Sequence, residues 1–350
     1  MQRPSHGGDR LWAATIAGCA PEAILDFSAN LNPLGPPTWV LAFVRAHVDL
    51  LVAYPDPQYR ELRRQLAAVH HLEPDWVWPG NGVAHLLTWV GRDLAALETV
   101  TLVTPAFGDH WRALQTFGAP VRPWRLPWEQ PSVALPSRGD GLLLSNPHNP
   151  TGYLFTREQL LPLLENWSLV VVDESFMDFL PPGEDQSLVP VLDRCPNLVI
   201  LRSLTKFYAL AGLRLGYVLA HPNRLSRYRE WDASWSVNGL AAALGGLLLQ
   251  DRAFAQRTWD WLRQERPRLY QGLARLPGLT PYPSAANFLL VRSRHPVPAL
   301  QERLLVRHRI LIRDTLSYPE LGADYFRVAV RHSAENQRLL AALGSEGMPP

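Results

Sequence analysis

The sequence predicts an α/β fold: a large domain on a mostly parallel sheet with helices on both faces, followed by a smaller α+β domain. Three observations carry this. Val100–Val103, Gly141–Leu144, Leu169–Val172, Leu198–Leu201 and Leu215–Ala220 are short apolar runs, and helical segments separate several of them. Continuous apolar runs of this length suit strands buried on both faces, as in a parallel sheet. Further on, the strand-like stretches Asn287–Val291, Ile310–Arg313 and Tyr325–Val330 follow a long helical region and precede a closing helix, Ala334–Leu343. Finally, polar clusters stand directly behind the apolar runs: Thr104 to Phe107, Ser145 to Gly152, Asp173 to Ser175, and Ser203 to Lys206. In open α/β sheets ligands bind beyond the carboxyl ends of the strands, where these clusters fall.

Taken in order, residues 1–37 form an N-terminal arm ending in the polar, turn-rich segment Asp26 to Pro37, whose serine and asparagines follow no helical or strand period. A helix is expected near Trp39–Val52. Tyr54-Pro55-Asp56-Pro57 breaks it, and Tyr59–His71 forms the next. Trp78-Pro79-Gly80-Asn81-Gly82 reads as a loop opening the helix Val83–Leu94. The apolar run Leu240–Leu249, half the length of a membrane span, reads as a buried helix in a helical region reaching Arg275. These divisions give an arm (1–37), a large domain (38–250) and a small C-terminal domain (251–350), without repeats or long linkers.

A net charge of +2, with the arginine surplus spread along the chain, gives no sign of a nucleic-acid partner, and no apolar stretch points to a membrane. Cys19 and Cys195 show neither a metal spacing nor a disulfide framework, so the expected setting is the reducing cytoplasm and no metal is expected.

Lys206 is the only lysine in the sequence; every other basic residue of the 34 is an arginine. Charge alone does not explain its retention. An amine, unlike a guanidinium, can lose its proton near neutral pH and condense with a carbonyl. Ser203 and Thr205 flank it at a strand end, and Arg214 follows eight residues later. Hydroxyls, an amine and a guanidinium together suit a cofactor carrying an aldehyde and a phosphate, namely pyridoxal 5'-phosphate. Ser203-Leu204-Thr205-Lys206 also fits the Ser-x-x-Lys of serine acyl transferases, but their Lys-Thr-Gly partner needs a second lysine.

Other clusters read two ways when taken singly. Asp173 at a buried strand end needs a partner: a pyridine nitrogen, a cap or a structural ion pair. Asn149 in Asn-Pro-Thr-Gly is an amide donor or an ordinary turn residue. Phe107 is a ring-stacking side chain or core. Gly80-Asn81-Gly82 is a phosphate cup at a helix N-terminus or a simple turn.

In this order, Asn149-Pro150-Thr151-Gly152, Asp173-Glu174 and Ser203-x-Thr205-Lys206 through Arg214-x-Gly216 resemble the fold-type-I pyridoxal-phosphate enzymes of the class I/II aminotransferase family, over nearly the whole chain. The resemblance implies Lys206 as the lysine joined to the cofactor and Asp173 on its ring nitrogen. It places Asn149 on the ring 3'-oxygen, with Phe107 stacked on the ring. The backbone of Gly80, Asn81 and Gly82, with Ser203, Thr205 and Arg214, would hold the phosphate. It further implies a homodimer with shared active sites, in which Tyr54 reaches the neighbour's cofactor phosphate. Two departures stand out: Phe176 where many members place a tyrosine, and Val83-Ala84, which give the cup no side-chain donor.

Within the family, His6-Gly7-Gly8, Asp26 to Gly35, Arg202 to Ala209, Trp235 to Asn238, Ile310 to Arg313 and Tyr325 to Arg331 resemble the branch that decarboxylates L-threonine O-3-phosphate in cobalamin biosynthesis. Histidinol-phosphate aminotransferases are its relatives and the alternative reading. This finer resemblance implies a phosphorylated amino acid as substrate, touched by His6, Gly7, Asn30, Asn149, Arg313 and Arg327. Arg327 would take the α-carboxylate; Arg313, with the arm, would take the phosphate. Asp9 stands where an asparagine is expected and should point away from that phosphate.

Overall fold

The computed structural model describes residues 3–130 and 133–346. The arm carries helix α1 (Arg10–Ala17) and the two-residue strand β1 (Leu25–Asp26). Asp9 caps α1, its Oδ1 accepting from the Trp12 N–H at 2.9 Å, so its carboxylate serves the helix. Helices α2 (Thr38–Ala46) and α3 (Arg60–Val69) follow, then β2 (Val77–Gly80) and α4 (Val83–Leu94). The expected Trp39–Val52 helix therefore ends at Ala46 and continues as a separate 3-10 turn, Val48–Leu51.

The large sheet has seven strands in the order β2-β8-β7-β6-β5-β3-β4. They are β2, β3 (Val100–Thr104), β4 (Val121–Arg125), β5 (Gly139–Ser145), β6 (Trp167–Asp173), β7 (Leu198–Ser203) and β8 (Gly216–Ala220). Strands β3 to β7 are mutually parallel; β8 and β2 add an antiparallel edge. β5, β6, β7 and β8 are buried over nearly their whole lengths, which is why they read as unbroken apolar runs. β2 was expected as loop because it contains Pro79 and Gly80, but an edge strand tolerates a proline. Helix α5 (Gly108–Thr116) packs on α4 with the backbones almost touching: a Cβ at Gly91 would collide with the Ala113 carbonyl.

The expected helical region Leu240–Arg275 is two helices beyond α6 (Pro222–Trp231), namely α7 (Gly239–Gln250) and α8 (Arg252–Ala274). Asp251 separates them. Its Oδ1 caps α8 through the Phe254 N–H at 2.9 Å, while Oδ2 accepts from Trp39 Nε1 at 2.8 Å.

The smaller sheet orders β12-β13-β10-β9, with β9 (Leu279–Pro281), β10 (Phe288–Ser293), β12 (Arg313–Asp314) and β13 (Tyr325–Ala329) all antiparallel. Helices α9 (Val297–His308) and α10 (Ser333–Ser345) accompany it. The single strand expected at Ile310–Arg313 divides: β11 (Ile310–Leu311) pairs in parallel with β1, and β12 pairs with β13. The arm is thereby attached to the C-terminal part of the chain. Among the described residues no helix is long and apolar enough to cross a membrane, and Cys19 and Cys195 are both free.

Candidate active site

The carboxyl ends of β3, β5, β6 and β7 share one edge, with Ser145 opposite Asp173 and Asp173 opposite Leu201. There a cavity of about 280 Å³ opens, lined from the sheet by Ser145, Asn149, Asp173, Ser203, Thr205 and Lys206. Lys206 follows β7 on a loop held from the arm: the Asn32 N–H donates to the Lys206 carbonyl at 3.1 Å, and Asn32 Nδ2 to the Phe207 carbonyl at 2.8 Å. Burial, and then the cations Arg327 and Arg214, push the Lys206 amine down to about 8, against a smaller opposing pull from Asp173. An amine with that pKa is partly neutral at physiological pH, as condensation with a carbonyl requires.

Asp173 is almost fully buried yet held below the usual carboxylate range. Burial by itself would raise it, but His110 Nε2 lies 3.0 Å from Oδ2, and the N–H and hydroxyl of Ser175 donate to Oδ1 at 3.0 and 2.5 Å. The arrangement keeps a buried carboxylate ionised and facing the cavity. Asn149 is placed by its N–H, which donates to Ser145 Oγ at 3.0 Å. Phe107 closes the last turn before α5 and lines the same space, as does Phe176.

Opposite lie Ser203 and Thr205, whose hydroxyls are 2.8 Å apart, and Arg214. Gly82 leaves room for that guanidinium, because a Cβ there would stand 2.7 Å from Arg214 Nη2. Gly80, Asn81 and Gly82 form the turn behind the cavity wall rather than the wall itself. The Gly82 N–H donates to the Gly80 carbonyl at 2.7 Å and the Asn81 N–H to His85 Nδ1 at 3.3 Å. The residues facing the cavity are Val83 and Ala84, at the first turn of α4, where helix N–H groups lack partners within the helix. Tyr54 lies elsewhere, 78% exposed and stacked on Trp235 with ring centroids 4.4 Å apart.

Arg313 and Arg327 sit directly opposite each other on β12 and β13, both buried and both lining the cavity. Like charges facing across a ladder disfavour the pairing. Arg327 donates to Asn149 Oδ1 at 2.5 Å and to the Ser28 carbonyl at 3.2 Å, and its Nε is buried without a partner. Burial, with some contribution from Arg313, draws its pKa down. Arg313 holds the arm by donating to the Pro4 and Ser5 carbonyls, and also reaches Ser317 Oγ at 2.6 Å. His6 and Gly7 thus line the cavity, and Gly7 packs so closely on Ser28 that a Cβ would collide with the Ser28 carbonyl. Asn30 also lines it, with its buried Oδ1 unpartnered.

Every residue expected at the site reaches this cavity except Tyr54 and the Gly80–Gly82 turn. Ser145 and Ser175 belong to the polar clusters read at the strand ends, whereas His110, Ser317 and Tyr318 were not foreseen. Of these three only His110 left a trace in the sequence, one helical turn beyond Phe107.

The chain matches the family described as aminotransferase class I and II over residues 22–343. Threonine-phosphate decarboxylase of Salmonella typhimurium is 42% identical over 97% of this chain and 95% of its own. Histidinol-phosphate aminotransferase of Symbiobacterium thermophilum is 34% identical, covering 91% and 90%. The crystal structure of L-threonine-O-3-phosphate decarboxylase from Porphyromonas gingivalis shares the fold, with a TM-score of 0.82 over 91% of this chain and 98% of that one at 23% identity. By a family match spanning most of its length and by these relatives, the chain belongs to the class I and II aminotransferase family.

Proposed function

We propose that this chain decarboxylates L-threonine O-3-phosphate, with pyridoxal 5'-phosphate as cofactor, to 1-amino-2-propanol O-phosphate and carbon dioxide for cobalamin biosynthesis. The observation that carries this reading is the facing pair Arg313 and Arg327 in the Lys206 cavity. Two buried guanidiniums aimed at one space call for a ligand with two anionic groups, and an amino acid bearing a phosphate ester supplies both. The 42% identity to a threonine-phosphate decarboxylase over nearly the full length supports the same substrate.

The site fits the cofactor. A hydroxyl pair and a guanidinium stand at the Ser203, Thr205 and Arg214 end, with the first turn of α4 beside them, and an ionised carboxylate stands at the Asp173 end. Bound there, the cofactor supplies an aldehyde for the substrate amine and a ring that draws electrons from the α-carbon. Ser203, Thr205, Arg214 and the Val83 and Ala84 N–H groups would hold its phosphate, Asn149 its ring oxygen, Asp173 its ring nitrogen and Phe107 one face. Lys206 would hold its aldehyde until the substrate amine takes that place.

Arg327 then orients the α-carboxylate, its fork fixed by Asn149 and the Ser28 carbonyl. Arg313, with His6 and Gly7, holds the phosphate ester. The bond between the α-carbon and the carboxylate breaks, its electron pair stays at the α-carbon, and the Lys206 ammonium supplies the proton there. Asn30 Oδ1, with no protein donor, is available to accept from the substrate. With L-threonine O-3-phosphate the protein should release carbon dioxide without any 2-oxo acid. Glutamate formed from histidinol phosphate and 2-oxoglutarate, without decarboxylation, would instead establish the aminotransferase reading.

The proposal includes a cytoplasmic homodimer. Tyr54 does not line its own Lys206 cavity; it is exposed and stacked on Trp235, close in sequence to the exposed Leu51 and Val52, which supports its serving a neighbouring subunit. Mixing Lys206→Ala and Tyr54→Phe subunits tests this. Each hybrid dimer should regain one wild-type site, about half the activity of a wild-type dimer, because one of its two cavities combines an intact lysine with an intact tyrosine. No recovery in hybrids, with both parents dimeric, contradicts the shared site.

A further inference from the structure

One side chain ties the Gly80–Gly82 turn to a distant part of the chain. His85 Nδ1 accepts from the Asn81 N–H at 3.3 Å, so in the neutral ring the proton sits on Nε2. Nε2 lies 3.1 Å from Asp232 Oδ1, a close charge contact and not an aligned hydrogen bond, since that buried oxygen has no hydrogen-bond partner. Asp232 is itself fixed: its side chain is buried, and Oδ2 accepts from Trp78 Nε1 at 2.9 Å and from Ser236 Oγ at 3.2 Å. Trp89 packs edge-on against the imidazole with centroids 5.7 Å apart. The imidazole and Leu86 together leave no room for a side chain at Gly80, where a Cβ would stand 3.1 Å from Nδ1 and 2.6 Å from Leu86. Val83 and Ala84, between the turn and His85, face the cavity, whereas His85 does not line it.

We infer that His85, anchored by Asp232, is a positioning residue for the cofactor phosphate: it sets the turn so that the first N–H groups of α4 point into the cavity beside Ser203, Thr205 and Arg214. This rests on the cofactor reading above. The imidazole works as a spacer that accepts at one edge and is held at the other. A phenyl ring keeps the bulk and loses both functions. Glutamine keeps an acceptor and a donor.

The test is cofactor binding to the apoprotein, with pyridoxal 5'-phosphate compared with pyridoxal, which lacks the phosphate. His85→Phe should bind the phosphorylated form several-fold to about tenfold more weakly, the scale of one lost hydrogen bond, and bind pyridoxal as the wild type does. His85→Gln should recover most of that affinity. Asp232→Ala, which leaves the imidazole but removes its anchor, should show the same phosphate-selective loss and carries the test where His85→Phe does not fold. Unchanged affinity for the phosphorylated form, or equal losses for both forms, overturns the inference while leaving the cofactor reading intact. A wild-type protein that binds neither form overturns the cofactor reading, and this inference with it.

Discussion

Lys206→Arg should abolish turnover, by about 10⁴-fold or more, and remove the visible absorbance of the lysine-bound cofactor, although the charge at the position is kept. The guanidinium stays protonated at any working pH, so it can neither join the aldehyde nor pass a proton to the α-carbon. Steady-state assays and an absorbance scan of the reconstituted protein check both halves. A variant that keeps the visible band would remove Lys206 from its proposed role. The surroundings add a pH signature. Burial, Arg327 and Arg214 hold the amine near 8, and only the neutral amine attacks a carbonyl. Cofactor uptake by the wild-type apoprotein should therefore climb about tenfold per pH unit below 8 and level off above it. Arg327→Met removes one of the depressing cations, so the amine's pKa rises and the plateau moves to higher pH.

The same residue shows how much of this molecule was legible beforehand. The sheet and the clusters at its edge could be read because β5, β6 and β7 are buried over most of their lengths, and the polar residues that end them, Ser145, Asp173 and Ser203, line the cavity. β2 was hidden because Pro79 and Gly80 carry the composition of a turn, while its pairing with β8 is a tertiary fact. β1 and β11 are two residues each, too short for any period. Asp251 held a readable signal, an aspartate three residues before Phe254, inside an apolar pattern that appeared continuous. At the site, arginine chemistry was visible but the facing of Arg313 and Arg327 was not, because register across an antiparallel ladder is set by the whole small sheet. His110 was missed for a similar reason: it meets Asp173 from 63 positions away through the packing of α5 on the sheet.

That contact sets up the second large effect. Asp173→Asn should lower kcat by on the order of 10³-fold while leaving the fold intact, because the amide has the carboxylate's shape but not its charge. The charge is secure in the wild type. Burial favours the neutral acid, but His110 and Ser175 outweigh it and hold the pKa below the ordinary carboxylate range. A depressed folded-state pKa contributes stability above the unfolded value near 3.9, and the contribution fades as pH falls through the folded value. Asp173 therefore stays ionised throughout the neutral range, and protonation of this group should add no acid limb to the activity profile between pH 5 and 8. The polar contact of His110 at the site is with that carboxylate, so His110→Gln should cost less than Asp173→Asn. In the double variant the two losses should not add. Activity in the double variant close to that of Asp173→Asn alone places His110 behind the carboxylate. Fully multiplicative losses would mean that the imidazole has a separate part in the chemistry, and an Asp173→Asn variant within about twofold of wild type would exclude the carboxylate as the partner of the cofactor ring.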